Sequence, residues 1–564
     1  MKYLKIISLI ASGMAFFACQ QEDFLERYPL DEVSSAVFFK TPEDLKIYVN
    51  QYYTRATFTE TGTDADIFFN ESNIDQRMDG KYTLNNAPSY DYTKVRSINY
   101  FFDNYKKCEA DFNDYKQYVG EAHFFRALFY FNLLRTFGDV QWTSTVLETN
   151  SSELYGSRMP RNEVADNIIA DLDTAAMYLT DEKTNGCSRI NRWIALLFQS
   201  RIALYEGTWE KYHAGDPFGV STPQPQKYFN KVVEAASAIM NSGKYDIYTT
   251  GSSGSDYFDL FAMRDYSTNK EVMFWTKMDL DLGIHAFSRL YSMVLPGGSG
   301  FSKSFADAYL CTDGKPITAN PLFKGHNTIM DEIKNRDPRF YQTIFTPTFP
   351  WKIDDAGVTQ TWNEVYKKLF SATSYSSSSG YVLRKFYNPY LIYHHQNYEE
   401  TPILRYRYAE VLLNYAEAKA ELGTITQGDI DSSVKKLRDR AGMPNLLLNS
   451  IASDPNWEFP ALSPVINEIR RERKIELAME ISRWDDIARW AAADELIVGK
   501  RYKGAYAAQF AFKPSHPVDE NGFLDAWKKA IPNGFGFKLN RDYLLPFQEK
   551  QLLLNPNLEQ NPGW

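Results

Sequence analysis

Apolar residues recur at helical spacing in both halves of the chain. In residues 162–179, Val164, Ile168 and Leu172 share one stripe and acidic residues lie elsewhere, which predicts an amphipathic helix. Residues 120–137 are apolar on nearly every side, which predicts a buried helix. Further helices are predicted after Thr41 and at 192–205, with Gly207 as its end, 228–240, 405–422, 431–441, 464–478 and 483–493.

The middle of the chain has a different pattern, because Gly, Ser, Pro and Asp interrupt it from about 246 to 399. Short strands are predicted at 272–275 and 381–386. Long irregular segments in a compact protein are often functional. We therefore predict a mainly α fold, in which one body spans 19–564. Its parts are a helical scaffold (about 40–245 and 400–500), a loop-rich region (246–399) and a loop-rich tail (501–564).

The N-terminus has the pattern of a signal peptide. A short basic start precedes residues 6–18, which are uncharged and mostly apolar. This run is too short to span a bilayer, which takes about 20 residues. It ends in Phe-Phe-Ala-Cys, which resembles a bacterial lipobox and implies cleavage after residues 1–18 and acylation of Cys19. The alternative is cleavage elsewhere, with Cys19 an ordinary residue of the signal region.

Charge and cysteine spacing exclude some functions. The net charge is −9, so no basic footprint predicts nucleic-acid binding. Cys108, Cys187 and Cys311 have no zinc-site spacing. One pair could form a disulfide and leave the third thiol free, and the sequence does not say which. The aromatic fraction is 15 %, a supply that suits core packing and also stacking on flat ligands.

No motif of a known catalytic machinery is present. The chain has no HExxH, GxSxG, phosphate loop or GxGxxG after a strand. The adjacent pair His394-His395 would point to opposite faces of a strand, so we interpret it as a surface loop feature and predict no metal and no cofactor. The charged run at 470–480 is interpreted as an ion-pair lattice with i,i+3 and i,i+4 spacing.

Several segments together resemble the SusD/RagB family of Bacteroidetes. The resemblance runs in family order through nearly the whole chain. It departs at Gln141-Trp142, where the family more often has Pro, and at the final Trp564, where Tyr or Phe is commoner. The matching segments are GEAHFFRALFYFNLLRTFGDV (120–140), TDGKP (312–316), RDPRF (336–340), RYAEVLLNYAEA (407–418), IRRERKIEL (469–477), RWDDIARW (483–490), YLLP (543–546) and NPNLEQNPGW (555–564).

The resemblance implies a tetratricopeptide-like scaffold of helical hairpins with loop excursions. It implies a lipoprotein on the outer face of the outer membrane that caps a SusC-like, TonB-dependent transporter. The ligand would be an oligosaccharide or polysaccharide, bound without hydrolysis. Two alternatives stay open: a subunit that binds peptide or another nutrient, and a lipoprotein glycosidase, which needs two carboxylates about 5–10 Å apart.

Sugar rings pack their C–H faces on aromatic rings and need planar polar partners for their hydroxyls. Two stretches have this composition: residues 73–92, where relatives often place glycan contacts, and the loop-rich middle. In a chain with 11 Trp and 38 Tyr, a loop aromatic can equally pack inside its own loop. Trp484 and Trp490 are assigned to the core because they lie in a helical segment. The predicted ligand-binding residues are Asp75, Arg77, Asp79, Tyr82, Tyr90, Tyr92, Trp275, Tyr291, Trp351, Trp362, Tyr375 and Tyr381.

Overall fold

The protein is built mainly from α-helices, so the predicted fold class is confirmed. The structure, a computed structural model, describes residues 38–54, 64–183, 186, 188–287, 298–371, 377–395, 398–480 and 483–564. Its helices are α1 (Pro42–Asn50), α2 (Thr93–Asn104), α3 (Phe112–Phe137), α4 (Arg161–Tyr178), α5 (Arg192–Tyr212), α6 (Pro225–Asn241), α7 (Asp256–Ala262), α8 (Lys303–Ala308), α9 (Ile329–Ile333), α10 (Arg339–Thr343), α11 (Asn363–Lys368), α12 (Tyr408–Glu421), α13 (Gln427–Ser432), α14 (Val434–Arg440), α15 (Pro464–Glu476), α16 (Arg483–Arg489), α17 (Ala493–Leu496) and α18 (Glu549–Leu554).

The strands of the described residues are short. They are β1 (Phe68–Phe69), β2 (Val272–Thr276), β3 (Ala286–Phe287), β4 (Gly300–Phe301), β5 (Pro350–Ile353), β6 (Thr359–Thr361), β7 (His394–His395), β8 (Tyr398–Glu399) and β9 (Ile403–Arg407). All pairs are antiparallel: β1 with β4, β2 with β9, β5 with β6, and β8 between β3 and β7.

Helices from both ends of the chain form one scaffold. Helix α3 packs on α4, α4 on α5 and α5 on α6; α6 then packs on α12, and α12 packs on α15. A second core lies under the loop-rich middle, around Phe301, Phe340 and Trp362. In the part of the chain that the structure describes, no helix combines the length and the apolarity needed to cross a membrane.

Helix α5 continues to Tyr212, so the predicted end at Gly207 is wrong. Gly207 permits close packing instead of ending the helix. A Cβ at this position would come within 2.9 Å of the ring of Phe229 and 3.0 Å of Tyr228. Glycine is therefore needed where α5 and α6 touch.

Two further differences from the prediction concern strands. Residues 405–407 belong to β9 because they pair with β2, so the helix there begins at Tyr408. The segment 381–386 is not a strand; only Leu383 forms an isolated bridge, with Ile344. Tertiary pairing, which the local pattern does not contain, decides both cases.

The charged run at 470–480 is structural, as interpreted, but most of its partners are distant in sequence. Glu476 accepts hydrogen bonds from Arg407 (2.7 Å) and Arg440 at Oε1 and from Arg339 (3.0 Å) at Oε2. All four side chains are buried. Arg473 bonds Asp486 at 3.0 Å rather than Glu476. The predicted i,i+4 lattice is therefore replaced by a buried network that ties α10, β9, α14 and α15 together.

This network predicts loss of stability in acid. Burial alone would raise the pKa of Glu476, but the guanidinium groups of Arg440, Arg407 and Arg339 outweigh it and hold the pKa well below 4.5. The pKa of Asp486 is lowered to about 2, by Arg473 first, against the effect of burial. The unfolded state therefore takes up protons first as the pH falls below about 4.5, so stability is present above that pH and lost below it. We expect the free energy of unfolding, measured with urea, to fall between about pH 4.5 and pH 3, by up to about 1.4 kcal/mol per pH unit for each carboxylate whose pKa is lowered; no fall over this range would contradict the stabilising role of the network.

Candidate functional site

A cleft of about 400 Å³ opens where an N-terminal segment meets the C-terminal part of the chain. The N-terminal wall surrounds β1 and the turn after it, and the opposite wall comes from α16 and the tail. The lining residues are Asp64, Ala65, Phe68, Phe69, Asn70, Asn73, Asp75, Arg77, Met78, Trp484, Tyr502, Trp527 and Phe535.

The floor of the cleft is aromatic. The ring of Trp527 lies 4.8 Å from Phe69 and 5.3 Å from Phe535, measured between centroids, and Tyr502 lies 5.1 Å from Phe535. The indole N–H of Trp527 donates to the Glu71 carbonyl at 3.0 Å, which satisfies its polar atom. This floor is apolar and fixed in place, as expected for a preformed ligand site.

Arg77 is a fixed cation on the wall. Its Nε donates to the Asp542 carbonyl at 2.6 Å, and its Nη2 donates to the Tyr543 carbonyl. Its guanidinium lies over the Trp484 indole, 4.0 Å from the ring centre. Burial lowers its pKa to about 10, so it stays charged at neutral pH. With two donors held by carbonyls, its other N–H groups can donate to a ligand.

The turn that carries Arg77 is held by the side chain of Asp75, which belongs to the same turn, and by the C-terminal tail. Asp75 Oδ1 accepts from the backbone N–H of Arg77 (2.8 Å) and of Met78 (3.0 Å). Gly80 has φ +65°, and a Cβ there would come within 2.1 Å of the Gly536 carbonyl oxygen. The position of Arg77 therefore depends on glycine at position 80.

Gly80→Ala should disturb the cleft and lower stability. A side chain at positive φ costs about 1–3 kcal/mol, and the clash with residue 536 adds to it. We expect a lower urea midpoint together with weaker ligand binding. Gly251→Ala is the matched control, since Gly251 also has positive φ (+87°) but nothing within 4 Å of its Cβ. Equal effects of the two substitutions would mean that backbone strain, and not the clash with residue 536, causes the loss.

Asp64 is an acid under the rim of the cleft. Its Oδ1 accepts from the Arg483 backbone N–H at 2.7 Å, and its Oδ2 is buried and lacks a donor among the described residues. Burial raises the pKa of Asp64 to about 7; the Arg483 N–H opposes this, and the charge of Asp66 adds to it. In the folded protein, Asp64 therefore takes up a proton as the pH falls to about 7.

Asp64→Asn should stabilise the protein at higher pH. The unfolded carboxyl ionises near pH 3.8 and the folded one near 7. Between these values the folded state holds the extra proton, so this group's contribution to stability falls as the pH rises and is constant above 7. Three pKa units correspond to at most about 4 kcal/mol. We expect the gain from Asn, measured by urea unfolding, to increase from pH 5 to 8; a gain that shrinks would contradict the assignment.

Most other predicted residues at 79–92 make contacts within the protein. Asp79 pairs with Lys81 at 2.6 Å. The Tyr82 hydroxyl donates to the Asn86 carbonyl. The hydroxyls of Tyr90 and Tyr92 lie 2.7 Å apart and bind the backbone of residue 141, which gives both a role in holding that segment. Of the first predicted stretch, Asp75 and Arg77 line the cleft.

The predicted aromatics of the middle region pack inside the protein. Trp275 donates from its indole N–H to the Gly186 carbonyl. Trp351 and Trp362 contact each other at 5.7 Å, and the Tyr381 hydroxyl donates to Glu332 at 2.7 Å. These four side chains are buried, and none of them lines the cleft. Cys19, Tyr291, Tyr375 and Cys187 lie outside the described residues.

The lining residues that the sequence did not reveal come mostly from the other end of the chain. Trp484 was assigned to the core, but it is only partly buried and lines the cleft. Tyr502 and Trp527 lie in the loop-rich tail, and no pattern in that tail distinguishes them. Trp490, as expected, is buried.

His394 and two cysteines have structural environments. His394 is in β7, not in a surface loop, and its ring Nε2 lies 2.7 Å from the Asn388 carbonyl oxygen. Cys108 and Cys311 are buried free thiols, so they do not form a disulfide with each other.

Two family models match successive parts of the chain. One, described as the SusD family, matches residues 290–564, and the other, described as starch-binding associating with outer membrane, matches residues 29–204. Together they account for most of the sequence. The chain belongs to the SusD/RagB family.

Relatives and solved structures agree with this. The chain is 24 % identical to SusD-like protein P2 of Formosa agariphila, with 96 % of each chain covered. It is 21 % identical to a SusD-like protein of Bacteroides ovatus, over 99 % of this chain and 97 % of the other. A SusD-like carbohydrate binding protein of Bacteroides fragilis has a TM-score of 0.71 at 22 % identity, covering 93 % of this chain and 100 % of that one. A structure described as solved with xylogluco-oligosaccharide has a TM-score of 0.60 at 18 % identity, covering 91 % and 97 %.

Proposed function

We propose that this protein binds a glycan in the cleft and passes it to a SusC-like, TonB-dependent transporter without hydrolysing it. The observation that carries the proposal is the combination of an aromatic floor around Trp527 with the polar groups of Asn73, Asp75 and Arg77 on the wall. Aromatic rings suit the C–H faces of sugars, while carboxylate, amide and guanidinium groups suit their hydroxyls. The carbohydrate-binding description of a structural neighbour supports the same ligand class.

Binding without hydrolysis agrees with the acids of the cleft. A glycosidase needs two carboxyl groups on either side of the scissile bond. Asp64 has the raised pKa that a general acid would need, but it is only 3 % exposed and its Oδ2 is buried, so it cannot reach a glycosidic oxygen. Asp75 alone does not provide the pair.

The site is tested first by affinity gel electrophoresis of the chain that begins at residue 20. Plant, host and microbial polysaccharides are cast into native gels beside a gel with no polysaccharide. Retardation by one of them is the expected result. A reducing-end assay on the retained glycan should then detect no release, since release would establish a glycosidase. No retardation across the panel, followed by binding of peptides, would replace the glycan with a peptide ligand.

The anchor and the transporter belong to the same proposal. We propose acylation at Cys19 and a location on the outer face of the outer membrane. Labelling cells with a fatty acid should mark the native chain and not Cys19→Ser, and the native chain should co-purify with a barrel of the SusC type. Cys108→Ser is the matched control and should remain labelled.

A further inference from the structure

A second cluster of polar side chains lies outside the cleft. Asp307 of α8, His326 and Glu332 of α9 each offer one atom that can bind a metal, and these atoms lie within 4.8 Å of one another. None of the three lines the cleft. Asp307 and His326 are partly exposed, whereas Glu332 is fully buried, so the cluster can be reached from solvent on one side.

Surrounding groups already orient Glu332 and His326. Glu332 Oε1 accepts from the Tyr381 hydroxyl at 2.7 Å and lies 2.9 Å from His326 Nδ1. Its Oε2 accepts from the Gln509 amide at 3.1 Å, and the same amide donates to the His326 carbonyl at 2.8 Å. Metal ligands in proteins are characteristically held in this way by an outer layer of hydrogen bonds.

Asp307 has one oxygen satisfied and one not. Its Oδ2 pairs with Lys303, whose ammonium also lies 4.5 Å from the centre of the Phe523 ring. Its Oδ1 is buried and has no hydrogen-bond donor among the described residues. A protonated His326 would satisfy Glu332 but would leave this oxygen without a partner, which is unfavourable for a buried acceptor. A cation shared by the three side chains would satisfy it.

We propose that Asp307, His326 and Glu332 bind one divalent transition-metal ion, with zinc the best fit. One imidazole nitrogen with two carboxylate oxygens suits zinc, whereas calcium takes 6–8 oxygen ligands. Bonds of about 2.0–2.2 Å to a tetrahedral ion place neighbouring ligand atoms about 3.4 Å apart. This separation lies between the 2.9 Å from His326 Nδ1 to Glu332 Oε1 and the 4.8 Å limit of the cluster, so small shifts of the side chains complete the site. The fourth position faces solvent and takes a water. The carboxylates balance the charge of the ion, and Lys303 remains on Oδ2.

The ion would join segments that are distant in sequence. Asp307, His326 and Glu332 would be bonded to one centre, and Glu332 is already bonded to Tyr381 and Gln509. Because a ligand that binds only the folded state stabilises it, zinc should raise the melting temperature.

The probe is Co²⁺, with Zn²⁺ as competitor, added to the untagged mature chain after EDTA treatment and desalting. We expect one Co²⁺ to bind per chain with the visible spectrum of a four-coordinate ion, and Zn²⁺ to displace it. Calorimetry should give the same stoichiometry from the heat of binding. His326→Ala and Asp307→Asn should weaken binding at least about tenfold. His123→Ala is the matched control, because His123 also bonds a carboxylate, that of Asp171 at 2.7 Å, but stands apart from the cluster.

Each result decides the proposal. Absence of the Co²⁺ spectrum and of binding heat in the unsubstituted chain would overturn it, whatever the variants do. Equal losses in His326→Ala and His123→Ala would also overturn it, since binding would then be non-specific. Binding that survives in His123→Ala and is lost in a normally melting Asp307→Asn would support it.

Discussion

Glu476→Gln is expected to lower the free energy of unfolding by about 3–5 kcal/mol. The substitution keeps the shape of the side chain and removes the charge that Arg339, Arg407 and Arg440 share. Three buried guanidinium groups then lose their common counter-ion, and removing one partner of a buried ion pair has an effect of this size. Urea unfolding followed by tryptophan fluorescence measures it.

An exposed ion pair provides the control for that experiment. Lys435 and Asp439 pair at 2.5 Å with spacing i,i+4, and both side chains are about half exposed. Asp439→Asn should change the free energy of unfolding by less than about 1 kcal/mol. If Glu476→Gln destabilised no more than Asp439→Asn, the buried network would not have the stabilising role assigned to it.

Arg77→Ala should weaken glycan binding at least about tenfold. The guanidinium is the fixed charged donor of the cleft, and hydrogen bonds to charged groups contribute about 1.5–3 kcal/mol. Trp484→Ala should have a similar effect because Arg77 stacks on this indole. Calorimetry with the glycan retained in the affinity gel measures both affinities.

Tyr155→Ala is the matched control for the cleft substitutions. Tyr155 is 50 % exposed and does not line the cleft, so its loss should leave the affinity unchanged. Circular dichroism must show that each variant is folded. Unchanged affinity in a folded Arg77→Ala would place the ligand elsewhere on the protein.

Local pattern predicted most of the long helices because spacing and caps act within a few residues. The helix after Thr41 is an example: Thr41 and Asp44 form a capping box, and Pro42 starts the helix. Gly207 shows the limit of this information. Its role depends on Phe229 of the neighbouring helix, and a glycine inside a helix looks the same in sequence as one at its end.

The sequence predicted residues of only one wall of the cleft. The polar and aromatic composition of residues 73–79 indicated Asp75 and Arg77, but Trp484, Tyr502 and Trp527 join them from more than 400 positions further along the chain. Composition also does not say which way a ring points. Trp351 and Trp362 belong to loop-rich sequence, yet they pack together in a core of their own.

A crystal structure of the chain with the oligosaccharide that the affinity gel selects would test directly whether the cleft binds the glycan. We expect sugar density in the cleft, with a ring on the aromatic surface formed by Trp484 and Trp527 and hydroxyls bonded to Asp75 and Arg77. An ordered oligosaccharide bound at another surface, with the cleft empty, would contradict it.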